Sequence, residues 1–410
     1  MIDQQKSVKI SYKQKLSIWS IFLVTSITGI AITPILPEIQ THFHNILRTE
    51  TDLLSSLPNM IIIPFVLLSG FIVKRDSRLS MIRIGLFVFI ISAIGYQFMT
   101  SFIHLLLISL ILGAGVGIVI PIANSLPSDF FYGRERQRQL GICGAIADAS
   151  QVICLFMTGV LYKNFGWKAP FFVYMIAVVP LVLSFLIKKK KNKTNTQNPK
   201  YGAYRFNIKM DKCGFSKKLL YALIIQYFLF VFIQFQISLN LPYLLIHYGY
   251  SETFSALSIA FFFLIQSIFG FLLMPVINIL GKNVVWLSFL FNAIALILIP
   301  LFIESKIVIL MALALAGIPG GTIEPLIWDK TSHICLPNKK LRVFSYVMSV
   351  NYFTIWITPL LIRGFALMFE ATKMLRFSFY LAGIIAIITT IIAIIYKRDF
   401  IWGVPDKTDL

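Results

Sequence analysis

The sequence predicts an all-α membrane protein of twelve transmembrane helices in two six-helix repeats. Of its 410 residues 58% are hydrophobic and only 13% charged. Apolar runs of about twenty residues return along the whole length, and that length suits a helix crossing a hydrocarbon core of roughly 30 Å. A polar, basic run breaks the pattern midway, and motifs of the first half return in the second. A transmembrane β-barrel would instead show stretches of about ten residues alternating polar and apolar, and no part of the chain reads that way.

The spans fall near 16–37, 53–73, 81–99, 104–128, 139–161, 169–187, 219–244, 254–277, 284–302, 307–328, 343–368 and 376–396. The first sits behind Lys6, Lys9, Lys13 and Lys15 and superficially resembles a signal peptide. It is too long for one, lacks a small-residue cleavage site and leads straight into the next span, so it reads as a retained helix. The run KKKKNKTNTQNPK (188–200) reads as a disordered, solvated cytoplasmic linker, with contact to anionic membrane lipid as the less favoured alternative. It divides a six-helix half over residues 1–187 from a second over 219–410, with the basic linker at 188–218.

Orientation follows from charge. Of the 37 Lys and Arg, 30 lie on the side that holds both termini, which places that side in the cytoplasm. The net charge of +20 is therefore a topology signal and calls for no nucleic-acid partner. Lys-, Ile-, Asn- and Phe-rich usage suits an AT-rich bacterial genome, hence a bacterial plasma membrane.

The halves repeat at an offset of 204 residues. LGAGVGIVIPIANS (112–125) lies over AGIPGGTIEPLIWD (316–329), matching Gly113 with Gly317, Gly117 with Gly321 and Pro121 with Pro325. Arg78 meets Lys282 and Arg138 meets Arg342 at the same offset. Parallel six-span repeats characterise transporters that rock two halves about a central site.

With these features, TPILPEI (33–39), GRERQRQLG (133–141) and FGWKAPFFVY (165–174) make the chain resemble the major facilitator superfamily, nearest its bacterial twelve-helix drug and metabolite exporters of the proton-antiport type. The resemblance implies a secondary transporter, neither an enzyme nor a cofactor-binding protein, monomeric, with a small molecule and protons as partners. It also implies a cytoplasmic gate where GFIVKRDSRL (70–79) follows the second span, built from Gly70, Arg75, Asp76 and Arg78 with Asp129 as an acidic partner. The family's usual aspartate is here Lys74, leaving Asp76 to take its place. The exporters' glycine- and proline-bearing motif in the fifth span maps onto SQVICLFMTG (150–159), where only Gly159 survives. Ser150, Cys154 and Thr158 keep a small residue every four positions, a packing stripe. Import or facilitated passage of a metabolite thus stands as the alternative to efflux, and a non-transporting sensor with the same fold as another.

Two acids interrupt the apolar spans. Asp148 lies nine residues past Gln139, where the fifth span begins, or ~14 Å in at 1.5 Å per residue, near the bilayer midplane. A carboxylate there costs at least ~2.5 kcal/mol, so function is the default reading, and a protonatable group at that depth suits proton coupling. A structural acid, neutral or paired, is the bland alternative. Gln151, at i+3, shares its face. Glu324 is the second candidate, six residues from the cytoplasmic end of the tenth span; Asp329 and Lys330 read as interfacial. Arg363, near the outer end of the eleventh span, reads as a snorkelling side chain. Asn124, Gln151, Gln226, Gln234, Asn351 and Tyr352 are the candidate cavity residues; the 37 Phe suit an amphipathic or apolar substrate, and Phe on lipid-facing surfaces explains most of them equally well. Singly, each polar group reads as an interhelical hydrogen bond. His42 and His44 have no acidic or Cys companions, so no metal site is expected. No P-loop pattern occurs.

Overall fold

The computed structural model describes residues 11–43, 48–73, 77–187, 210, 211, 213–369 and 375–404. Among them the chain is helical, with a single isolated bridge, Phe215 to Cys335. In order come α1 (Tyr12–Ile21), α2 (Leu36–His42), α3 (Arg48–Ile72), α4 (Arg78–Phe98), α5 (Phe102–Ser125), α6 (Pro127–Phe130), α7 (Gly133–Phe165), α8 (Val178–Ser184), α9 (Lys217–His247), α10 (Glu252–Phe271), α11 (Leu273–Leu280), α12 (Val284–Leu301), α13 (Lys306–His333), α14 (Lys340–Met368) and α15 (Phe377–Ile395).

Nine of the described helical stretches are long and apolar enough to cross a membrane. The second expected span, α3, has a shorter apolar part, Ser56–Ile72, and the sixth, Ala169–Ser184, starts as a 3-10 helix before α8.

The first span departs furthest from expectation. Instead of one helix over 16–37, α1 passes into a 3-10 turn at Phe22–Val24 and regular helix resumes only at α2. Gly29, at φ 81°, turns the chain inside a run of Thr and Ser that favours helix weakly, and Pro34 and Pro37 follow. Broken backbone at membrane depth is tolerated where neighbouring helices satisfy it. Thr158 Oγ1 of α7 donates to the Ala31 carbonyl at 2.7 Å, and the Tyr352 hydroxyl of α14 donates to that of Thr25 at 3.3 Å.

The repeated glycines do equivalent work. A Cβ on Gly113 would lie 2.5 Å from the Pro58 carbonyl oxygen, and one on Gly117 2.7 Å from Phe65 Cβ, so α5 lies hard against α3. Gly317 and Gly321 hold α13 against α10 likewise, with the Gln266 carbonyl oxygen 2.3 Å from a Cβ on Gly321. Between halves, α14 packs on α3 and α5, and α7 packs on α10, α11 and α13.

Most of the basic linker lies outside the described residues. Its end is pinned to the loop after α13: Ser216 N–H donates to the Ile334 carbonyl and Leu336 N–H to that of Gly214, both at 2.9 Å.

Candidate transport pathway and cytoplasmic gate

Sequence reading starts the fifth span near Gln139, but α7 begins six residues earlier, at Gly133, and runs to Phe165. Asp148 is therefore at the middle of this helix and is 9% exposed. Gln151 Nε2 donates to Asp148 Oδ1 at 3.4 Å, one helical turn away as the spacing requires. Similarly α13 continues past the expected end at 328 to His333, which puts Glu324 nine residues from its C-terminal end. Its carboxylate is half-buried and accepts a hydrogen bond from the Tyr227 hydroxyl of α9 at 2.7 Å. Asp148 and Glu324 come one from each half, on α7 and α13, which pack against each other, and Tyr352 is on α14, which also packs on α13.

The other candidate cavity residues divide. Asn124 directs Nδ2 at Met348 Sδ of α14, 3.0 Å away, while its Oδ1 has no partner. Gln234 Nε2 donates to the Ala316 carbonyl at 3.2 Å, leaving Oε1 unmatched. Asn351 is half-buried beside Tyr352. Gln226 holds the C-terminal segment, donating to the Ile401 carbonyl at 3.1 Å. Arg363 is exposed on α14. His42 stacks near Trp167 with centroids 4.5 Å apart, and His44 lies outside the described residues.

At the end of the bundle where α6 meets α14, the two halves are tied to each other. Arg78 forms a buried ion pair with Asp129, which also faces Lys340 of α14, Nζ to Oδ1 3.5 Å. Lys340 donates to the Ser128 carbonyl at 2.8 Å as well. One acid in the short α6 thus takes a cation from each half. Gly70 lies against α14 so tightly that a Cβ would sit 2.3 Å from Ser345 Oγ. Arg75 and Asp76, the other two residues expected in this gate, lie outside the described residues.

A second tier lies between α7 and α13. Arg136 Nε donates to Asp329 Oδ1 at 2.6 Å, Gln137 Nε2 donates to Oδ2 at 2.9 Å, and His333 meets Arg136 from the next turn. Asp329 is 1% exposed and Lys330 4%, so both side chains, read from the sequence as interfacial, are buried within the protein. The reason is the length of α13 together with a C-terminal segment folded back under it. Lys330 Nζ donates to the Ile401 carbonyl, and Phe400, Ile401 and Val404 are buried with it. Above this tier α7 crosses α10 almost backbone to backbone. A Cβ on Gly141 would lie 2.6 Å from the Gly270 carbonyl oxygen, and Ser267 Oγ donates to the Ala145 carbonyl at 2.8 Å.

Sequence reading missed Tyr227, Arg136, Gln137 and the buried role of Lys330. Tyr227 is one aromatic among many in α9, and Arg136 and Gln137 stand in a charged run indistinguishable from other interfacial residues.

A family model described as Major Facilitator Superfamily matches residues 18–339. The chain belongs to the Major Facilitator Superfamily. Its fold is that of the superfamily. An uncharacterized MFS-type transporter of Bacillus subtilis (strain 168), YcnB, is 23% identical over 158 residues, 38% of this chain; the match spans about a third of that relative's length, 33%. Among solved structures, the proton:xylose symporter XylE bound to 6-bromo-6-deoxy-D-glucose superposes with TM-score 0.72 at 14% identity over 96% of both chains. The human organic anion transporter MFSD10 (TETRAN) gives 0.73 at 13% identity, over 93% of this chain and 99% of that one. At such identities the likeness is one of fold.

Proposed function

We propose that the protein is a proton-coupled secondary transporter of the plasma membrane, with both termini cytoplasmic, that exchanges protons for a small amphipathic molecule leaving the cell by alternating access. The observation that carries the reading is that each half places one carboxyl within a long apolar helix, Asp148 in α7 and Glu324 in α13, and that these two helices pack against each other. Acids at that depth are costly and functional by default. A carboxyl that holds either a proton or a cationic or polar group of the substrate, and not both, couples the two fluxes in opposite directions. With the proton gradient directed inward, the substrate moves out. Two acids on the proposed pathway favour cationic or neutral amphipaths over anions. Gln151 and Tyr227 orient the two carboxyls, and Asn124, Gln234, Asn351 and Tyr352 supply further polar contacts. Gln226 leaves the substrate set, since its amide serves the C-terminal segment.

The test is substrate flux in reconstituted vesicles with an imposed pH gradient, comparing the parent with Asp148→Asn and Glu324→Gln. The expected outcome is loss of gradient-driven flux in both, with passive exchange retained in at least one. Undiminished gradient-driven flux in both variants overturns the assignment, and substrate accumulating with the proton gradient reverses the proposed direction.

A further inference from the structure

Outside the transport pathway, a cleft of about 410 Å³ opens where the cytoplasmic end of α7 meets the junction of α10 and α11. Arg134, Glu135 and Arg138 line it from one half, and Phe271, Met274 and Pro275 from the other. Its size falls within the range that holds a small organic ligand.

The charge on its polar wall is positive. Glu135 is already engaged: Lys15 Nζ reaches Oε1 at 3.1 Å and Gln139 Nε2 donates to the same oxygen at 2.8 Å. Arg138 approaches Oε2 only to 4.0 Å and is mostly exposed, so both guanidiniums retain donors for an anion. The facing wall is apolar. Phe271 and Leu272, at the break between α10 and α11, are 51% and 43% exposed. Two arginines over an exposed apolar edge match a ligand with a phosphate at one end and hydrocarbon at the other.

We propose that this cleft holds the phosphate of an anionic phospholipid, its acyl chains lying along Phe271 and Leu272, and that the bound lipid favours the cytoplasm-closed arrangement of the two halves. The second part follows from where the walls come from. Arg134 and Arg138 belong to one half and Met274 and Pro275 to the other. The α7–α10 crossing at Gly141, Ala145, Ser267 and Gly270 lies one to two turns deeper. When the halves part on this side the cleft comes apart, and a ligand that binds only the closed arrangement shifts the population toward it. The proposal is independent of which acid carries the proton.

The experiment uses full-length protein purified in detergent, with native mass spectrometry reading retained phosphatidylglycerol against phosphatidylcholine. The variants are Arg134→Gln with Arg138→Gln, Met274→Glu, and a charge-matched control, Lys217→Gln with Lys218→Gln, at the exposed start of α9. Losing two basic residues at an anionic surface corresponds to about thirtyfold weaker binding. The arginine pair and Met274→Glu are expected to lose phosphatidylglycerol on that scale, and the control to keep it within about twofold. Equal retention in all variants, or equal loss in the control, overturns the site. Displacement of the lipid by millimolar inorganic phosphate would show a free-anion site and overturn the lipid assignment. In vesicles, maleimide labelling of Ser267→Cys between α7 and α10 is expected to slow when phosphatidylglycerol replaces phosphatidylcholine, in the parent and not in the arginine variant. No lipid dependence in the parent overturns the conformational part.

Discussion

Asp329→Asn offers the sharpest perturbation of the cytoplasmic gate. In the closed arrangement Asp329 and Arg136 are almost wholly buried and meet at 2.6 Å, with Gln137 on the second carboxylate oxygen. When the halves part, both side chains return to water, so the variant weakens the closed state selectively. Leaving a buried charge without its partner costs about 3–5 kcal/mol. Asparagine still accepts from Gln137, and His333 remains beside the guanidinium, so the lower part of that range applies. At ~1.4 kcal/mol per factor of ten, about 3 kcal/mol is roughly a hundredfold shift toward the cytoplasm-open state. The reporter is Ser267→Cys in a chain without its four native cysteines. Ser267 is 4% exposed and sandwiched against Ala145 of the other half, reachable only when α7 and α10 separate. In vesicles with the cytoplasmic face outward, maleimide labelling should quicken at least tenfold in Asp329→Asn. A rate within twofold of the parent, in a correctly inserted and monodisperse variant, would refute the reasoning.

Gly70→Ala should slow transport sharply, because the added methyl meets Ser345 Oγ at 2.3 Å and Cβ at 2.6 Å. Adding Ser345→Gly to the same chain removes both atoms and should restore flux; parental flux in Gly70→Ala alone would show that this close approach is dispensable. Ending the chain at Phe400 removes the Ile401 carbonyl that caps buried Lys330 and holds Gln226. The loss should lower thermal stability by about 1–3 kcal/mol per orphaned group, read as a fall in Tm, and Lys330→Met in the shortened chain should recover part of it.

How much was legible before the structure depends on which signal each feature uses. Span number and order rest on hydrophobic length, a property of the whole segment, and they survive small errors of register. The boundaries do not, because α7 and α13 stay helical through their polar ends; that is why Asp148 and Glu324 are set further from the helix ends than counting from the apolar edge gives. The break at Gly29 was written in Thr, Ser, Gly and Pro, but a continuous apolar run masks weak helix propensity when length alone is read. The Asp148–Gln151 contact was readable because i,i+3 spacing is local. The Tyr227–Glu324, Arg136–Asp329 and Lys330–Ile401 contacts join residues 97, 193 and 71 apart, and no local pattern encodes them.

The gate's composition also bears on how the protein can alternate at all. Both arrangements must lie within a few kcal/mol of each other for a cycle to run. An apolar seam hidden only in the closed state would add burial energy of about 25 cal/mol per Å² and trap it. A buried ion pair avoids this, because desolvation offsets most of the attraction gained on closing. Charge and tight glycine crossings together therefore close the cytoplasmic side without locking it. Replacing the pair by apolar side chains of similar volume, Arg136→Met with Asp329→Leu, should then act opposite to Asp329→Asn. Such swaps are neutral or stabilising by about 1–4 kcal/mol where the pair is buried, and exposing the new side chains on opening adds to the bias. Labelling of Ser267→Cys should slow below the parental rate, and flux should fall because opening becomes limiting. Damage to the fold would quicken labelling in both variants. Faster labelling in the apolar pair would thus sink the argument that these charges keep the gate reversible.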